Sequence, residues 1–226
     1  MISTRIDHLV VMAPDLDSGV QWCERTLGVS PGPGGEHPLM GTHNRLLKIA
    51  SKGFEDAYLE IIALKPGMAP QIAAGHRRWF DFDDEKLLCR IRQDGPQLVH
   101  WVARTPLLDA ACAAWQMRGI DRGPAVAASR MTSHGLLQWQ ITVRADGARL
   151  FEGCLPTLIQ WGAVHPVQAM GESGVRLVRL KIHHPQAPVL QEAFREVGLS
   201  QVEVTPGPAQ LAAELATPTG SVVISS

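Results

Sequence analysis

The sequence carries no surplus of either charge: 21 Lys and Arg against 22 Asp and Glu leave a formal net charge of -1 over 226 residues. Recognition of a polyanion rests on clustered Lys and Arg, so no nucleic acid partner is expected. No apolar run approaches the roughly 18 to 20 residues needed to cross a bilayer. The opening stretch, MISTRIDHLVVMAPD, lacks the basic start and small-residue cleavage site of a secretory leader. The expectation is a cytoplasmic protein with no membrane partner. Cysteine is scarce and scattered: Cys23, Cys89, Cys112 and Cys154 form no C-x-x-C pair, which excludes a zinc knuckle and a disulfide framework. They read as small, buried or half-buried thiols. What is abundant is apolar residue, 45% of the chain, enough to bury a substantial core.

One pattern occurs twice. RIDHLVVMAPDLDSGVQWCERTLGV begins at Arg5 and QLVHWVARTPLLDAACAAWQMRGI at Gln97. Each is a short apolar run, interrupted by one histidine, before a helix. His8 and His100 therefore occupy matching places. A weaker third copy, RLVRLKIHHPQAPVLQEAFREVGL, begins at Arg176 with Arg179 in the histidine's place. Internal repetition of this kind decides a fold ahead of any local signal.

Within the first copy, Ile6 to Met12 reads as a buried strand. Pro14, Asp15 and Asp17 start a helix whose residues Leu16, Val20, Cys23 and Leu27 form one apolar stripe, and Gly28 stops it. Residues 29 to 41 are too rich in Pro and Gly for regular structure. Asn44 to Ala50 and Ala57 to Leu64 then read as strands. The second copy repeats this order with strands at Leu98 to Arg104, Leu137 to Val143 and Leu155 to Trp161, and a helix near Leu108 to Met117. The division predicted is a first βαβββ unit over 1–66, a linker with a short helix over 67–96, a second unit over 97–166 and a third, histidine-lacking unit over 175–226.

Paired βαβββ units with a histidine on the first strand and a carboxylate on the last resemble the vicinal oxygen chelate superfamily, and within it the glyoxalase-like domain group. The likeness is carried by IDHLVVMAPDLD, GGEHPLMGTHNRLL, YLEII, RWFDFDD, LVHWVART and LPTLIQW followed by His165 and Pro166. It implies an α+β fold in which two units form a paired open barrel. It also implies one divalent transition metal, Zn, Ni, Mn or Fe(II), held by His8, Glu60, His100 and Gln160. Each histidine has its potential ligand at the far end of its own unit. Alternation along a strand puts Tyr58, Glu60 and Ile62 on one face and Leu158 and Gln160 on another, and a buried carboxylate without a partner is costly.

The reaction implied is chelation of a small oxygenated metabolite, with lyase or isomerase chemistry ranked first. Glu60 serves as general base, since an amide at 160 cannot exchange protons. With Fe(II), two histidines and a carboxylate would instead suit ring-cleaving dioxygen chemistry. A metal-free small-molecule binding protein on the same fold, its pocket dominated by tryptophans, stands as the second reading. His43 and Asn44, beside the Gly/Pro-rich loop with His37 and Arg45, are placed to reach a substrate. Arg130 is either a solvated loop arginine or the planar fork for a substrate carboxylate. Pairing into a homodimer is expected of such units, unless the third copy covers the exposed edge.

Overall fold

A computed structural model describes residues 2–132 and 135–226. The first unit comprises β1 (Arg5–Met12), α1 (Leu16–Leu27), β2 (Glu36–His37), β3 (Thr42–Lys48) and β4 (Tyr58–Leu64). The expected helix start is realised by Asp15, whose side chain accepts from Ser18 N at 2.7 Å. Gly28 closes the helix at φ 73°, in the left-handed region open to glycine. The Gly/Pro-rich loop holds one piece of regular structure that its composition hid: the two residues of β2 pair with β3, Glu36 against His43 and His37 against Thr42.

The linker contains α2 (Glu85–Asp94). The second unit follows as β5 (Gln97–Arg104), α3 (Leu108–Gln116), β6 (Ala125–Thr132), β7 (Gly135–Thr142) and β8 (Thr157–Trp161). The two units share one pairing scheme. Their first and last strands run parallel, β1 with β4 and β5 with β8, and β1 meets β5 antiparallel to join eight strands in the order β2-β3-β4-β1-β5-β8-β7-β6. The sheet curls enough to bring its two ends together, because Gly35 beside β2 lies against the guanidinium of Arg130 on β6.

Both faces of the central strands β4, β1 and β5 of this sheet are buried. On one lie the helices, with Leu9, Leu59, Trp101 and Leu158 in the core; on the other, Val10, Ile62, Val102 and Ile159 line the inside of the curl.

The third unit comprises β9 (Arg176–His183), α4 (Ala187–Glu196), β10 (Val202–Thr205), β11 (Gln210–Thr217) and β12 (Gly220–Ser225). It repeats the element order but not the pairing. Its sheet runs β10-β9-β11-β12, with β9 inside and parallel to β10 across α4. This unit packs on the helix side. Trp115 of α3 donates its indole N–H to Ala193 O at 2.8 Å, and Phe194 meets the Trp101 ring edge-on at 5.7 Å.

Candidate active site

The strand registers give the pseudo-twofold relation residue by residue. His8 stands opposite Val102, and Val10 opposite His100, so the two histidines are structural equivalents. In the first unit Val10 pairs with Glu60 across β1–β4; in the second Val102 pairs with Thr157 across β5–β8. The counterpart of Glu60 is therefore Thr157, three residues before Gln160. Parity explains the displacement: with both faces of β8 buried, Thr-Leu-Ile-Gln-Trp does not reveal which alternate set looks inward. Ile159 and Trp161 line the cleft, while Gln160 faces the helix layer, where its Oε1 accepts from Leu108 N at 3.0 Å.

His100 is likewise committed elsewhere. Its Nε2 accepts from Thr157 N at 3.2 Å and sits 3.0 Å from the Thr157 hydroxyl, which leaves Nδ1–H to donate to Gly153 O at 3.1 Å. Complete burial, and then the nearby Arg122 and Arg149 charges, push its pKa well below the usual histidine value. It is a neutral ring with both nitrogens occupied. Of the four residues matched by resemblance, the structure brings His8 and Glu60 together and places His100 and Gln160 away from them.

What faces His8 and Glu60 is a cleft lined also by His37, Asn44, Tyr58, Trp79, Phe80, Arg130, Trp139 and Trp161. Behind His8 lies Asp7, fully buried, which the sequence reading passed over. Its Oδ1 is 2.6 Å from His8 Nδ1, and its Oδ2 accepts from Trp161 Nε1 at 2.8 Å and from His165 Nε2 at 2.9 Å. Burial alone would raise the Asp7 carboxyl, but the hydrogen bonds from His165 and His8, with their charges, hold it well below the usual carboxylate range. An ionised carboxylate only accepts, so His8 Nδ1 carries the proton of this hydrogen bond and its Nε2 is turned toward the cleft. Tyr58 stacks on the imidazole with ring centroids 4.6 Å apart. One signal for Asp7 was available, a second ionisable residue in an otherwise apolar strand.

Nε2 of His8 lies 3.5 Å from Glu60 Oε2. On the other carboxylate oxygen, Asn44 Nδ2 donates to Glu60 Oε1 at 2.6 Å and reaches His37 Nε2 at 3.4 Å. His37 Nε2 is 3.9 Å from Glu60 Oε1. Burial lowers the His37 pKa to about 4, against the opposing pull of Glu60, so this ring too is neutral. Two imidazole nitrogens, His8 Nε2 and His37 Nε2, thus approach one carboxylate, with Asn44 bridging on the His37 side.

Of the residues expected to reach a substrate, Asn44 and Arg130 line the cleft and His43 does not. Alternation along β3 turns His43 to the opposite face.

These features define a protein of the glyoxalase-like class. A family model described as glyoxalase-like domain matches residues 6–198, and the chain belongs to that family, within the vicinal oxygen chelate superfamily. A comparison of the sequence with curated proteins finds no match. Among solved structures, a hypothetical protein from Staphylococcus aureus superposes with a TM-score of 0.58 at 14% identity, over 99% of this chain and 84% of that one; the shared property is the fold. Methylmalonyl-CoA epimerase from Streptomyces coelicolor, in complex with 2-nitronate-propionyl-CoA, gives 0.43 at 18% identity over 73% of this chain and 99% of its own. The Mycobacterium tuberculosis epimerase gives 0.39 at 16% over 73% and 91%. Both fits are too loose to carry an inference about chemistry.

Proposed function

We propose that the chain is a metal-dependent enzyme of the isomerase or lyase type, working on a small oxygenated metabolite in the cleft between its two units. Proteins of this superfamily commonly use a divalent metal. Among the described residues, no group of three or more histidine, cysteine, aspartate or glutamate side chains is already set to hold one. The donor chemistry nevertheless suits it. His8 Nε2, His37 Nε2 and the Glu60 carboxylate are lone-pair donors in one buried place, and His8 is backed by Asp7 in the manner of a metal-ligating imidazole. Those three side chains would hold the ion, in place of the set that included His100 and Gln160. Such a set suits Zn, Ni, Mn or Fe(II). Bound there, the ion would supply stabilisation of negative charge on a substrate oxygen.

The single observation that carries this reading is the 3.5 Å approach of His8 Nε2 to Glu60 Oε2 inside the cleft. Within it, Glu60 is the group that takes a proton from a substrate carbon. Asn44 keeps its Oε1 engaged, so Oε2 is the oxygen free to accept. Trp79, Phe80, Trp139 and Trp161 form the apolar wall that keeps water from the developing charge.

That same aromatic wall favours the second reading, a metal-free binding protein. Hydrogen exchange separates the two: small 2-oxo and 2-hydroxy compounds are incubated with the protein in D2O and their carbon-bound protons followed by NMR. The enzyme reading predicts exchange at the carbon α to the ketone of a 2-oxo compound, or at the hydroxyl-bearing carbon α to the carbonyl group of a 2-hydroxy compound, lost in Glu60→Gln. Binding without exchange in any compound, with the native protein loaded with each of the four metals in turn, would contradict it.

A further inference from the structure

The cleft has more hydrogen-bond donors than the protein gives acceptors. Among the described residues, Nε and Nη1 of Arg130 are sealed from solvent without an acceptor, and the Trp79 indole N–H is in the same condition. Both side chains line the cleft that holds Glu60. Buried donors left unpaired are costly, a guanidinium above all, and each such group in a folded protein asks for a reason. Three of them at one cleft mark the place of an acceptor that comes from outside.

The backbone of Gly35 lies against the Arg130 guanidinium. A Cβ on Gly35 would collide with Nη1, so glycine at 35 lets the loop before β2 close over the guanidinium as it stands. The same glycine donates its N–H to Asn44 Oδ1 at 2.7 Å, and Asn44 donates in turn to Glu60. The arginine and the carboxylate are thus positioned through one short chain of contacts. Leu137, Ile141 and Ile159 line the same cleft with apolar surface.

We propose that this corner is a carboxylate subsite and that the substrate is a small carboxylic acid, its carboxylate on Arg130 and Trp79 and its reactive carbon toward Glu60. The inference rests on the reading of Glu60 given above and names the substrate class for that site. A planar monoanion pairs with one edge of a guanidinium through two parallel hydrogen bonds, Nε with Nη2 or Nη1 with Nη2, so a carboxylate here takes one of the two unpartnered nitrogens together with Nη2. A phosphate dianion would bring a second negative charge close to the Glu60 carboxylate, which is unfavourable in a buried site.

The test compares 2-oxo and 2-hydroxy acids of three to six carbons with their primary amides, which keep the shape and lose the charge. Binding is read by tryptophan fluorescence, since Trp79, Trp139 and Trp161 lie in the cleft. At least one acid binds tenfold or more tightly than its amide; Arg130→Met removes the preference, Arg130→Lys keeps part of it, and Gly35→Ala weakens it by displacing the fork. If no acid is preferred over its amide, or if Arg130→Met retains the preference, the subsite is wrong. Zinc titration of the same proteins is the separate readout for the metal. Arg130→Met leaves zinc affinity unchanged or tightens it, because a nearby cation is gone. Acid preference without zinc binding would sink the metal reading alone, and zinc binding without acid preference would sink the subsite alone.

Discussion

Asp7 and His8, neighbours in sequence, are hydrogen-bonded side chain to side chain at 2.6 Å, although consecutive residues of a regular strand point to opposite faces. The register of β1 against β5 shifts between Ile6 and His8, and this irregularity lets both side chains serve one site. Asp7 fixes which nitrogen of His8 is free.

Replacing Asp7 by Asn therefore has two effects. The amide cannot accept from His8, Trp161 and His165 together without turning a donor toward one of them. Removing one member of a buried charged network costs about 3 kcal/mol, read as a lowered urea midpoint. Loss of the carboxylate behind a ligating imidazole also weakens zinc binding about 10- to 100-fold. A variant as stable as the native protein, with undiminished zinc affinity, would show that Asp7 positions nothing.

His100 governs part of the response to acid. It is neutral in the folded protein, its pKa lowered first by burial and then by Arg122 and Arg149, whereas in the unfolded chain it takes up a proton near its ordinary value of 6.5. The unfolded state binds more protons below that pH. Stability is complete above it and falls as the pH drops, by at most about 1.4 kcal/mol per pH unit for one such group. Urea midpoints between pH 7 and 5 fall less steeply in His100→Gln than in the native protein. Identical slopes would place the acid sensitivity elsewhere.

Arg122 makes the opposite case, a charge the fold tolerates rather than uses. It is buried, donates through Nη2 to the Thr157 hydroxyl, and leaves Nε and Nη1 unpartnered; burial lowers its pKa to about 10. Replacing a poorly compensated buried charge by an apolar side chain of similar length is neutral or stabilising, by about 1 to 2 kcal/mol here. Arg122→Met should raise the melting temperature or leave it in place. A loss of 2 kcal/mol or more would mean that the contact with Thr157 outweighs the desolvation of the charge.

The sequence made His8 and Glu60 legible because each is a polar residue in an otherwise apolar strand, and it made the two-unit architecture legible because the histidine recurs at an equivalent place. The structure turns Gln160 to the helix layer, and the sequence does not show this for a physical reason. A sheet covered on both faces has no polar side, so hydrophobic alternation carries no parity along β8, and Thr157, the true counterpart of Glu60, looks like an ordinary strand residue. His37 was legible only as a loop residue able to reach a ligand, because the surrounding glycines and prolines conceal the two-residue β2 that sets it beside Glu60. The third unit shares its element order with the others, and only hydrogen-bond registers, absent from any sequence pattern, distinguish its β10-β9-β11-β12 sheet from theirs.

Metal content tests the central claim most directly. Protein purified without a metal-affinity tag is analysed for Zn, Ni, Mn and Fe, before and after dialysis against each ion, beside His8→Ala, Glu60→Gln and His37→Ala, with Gln160→Ala as the control on the outer face. One equivalent of one metal in the native protein and in Gln160→Ala, lost in the other three, is the result predicted. A native protein that takes up none of the four ions, or one whose metal survives the loss of both His8 and Glu60, would contradict the account and leave the aromatic cleft as a metal-free binding site.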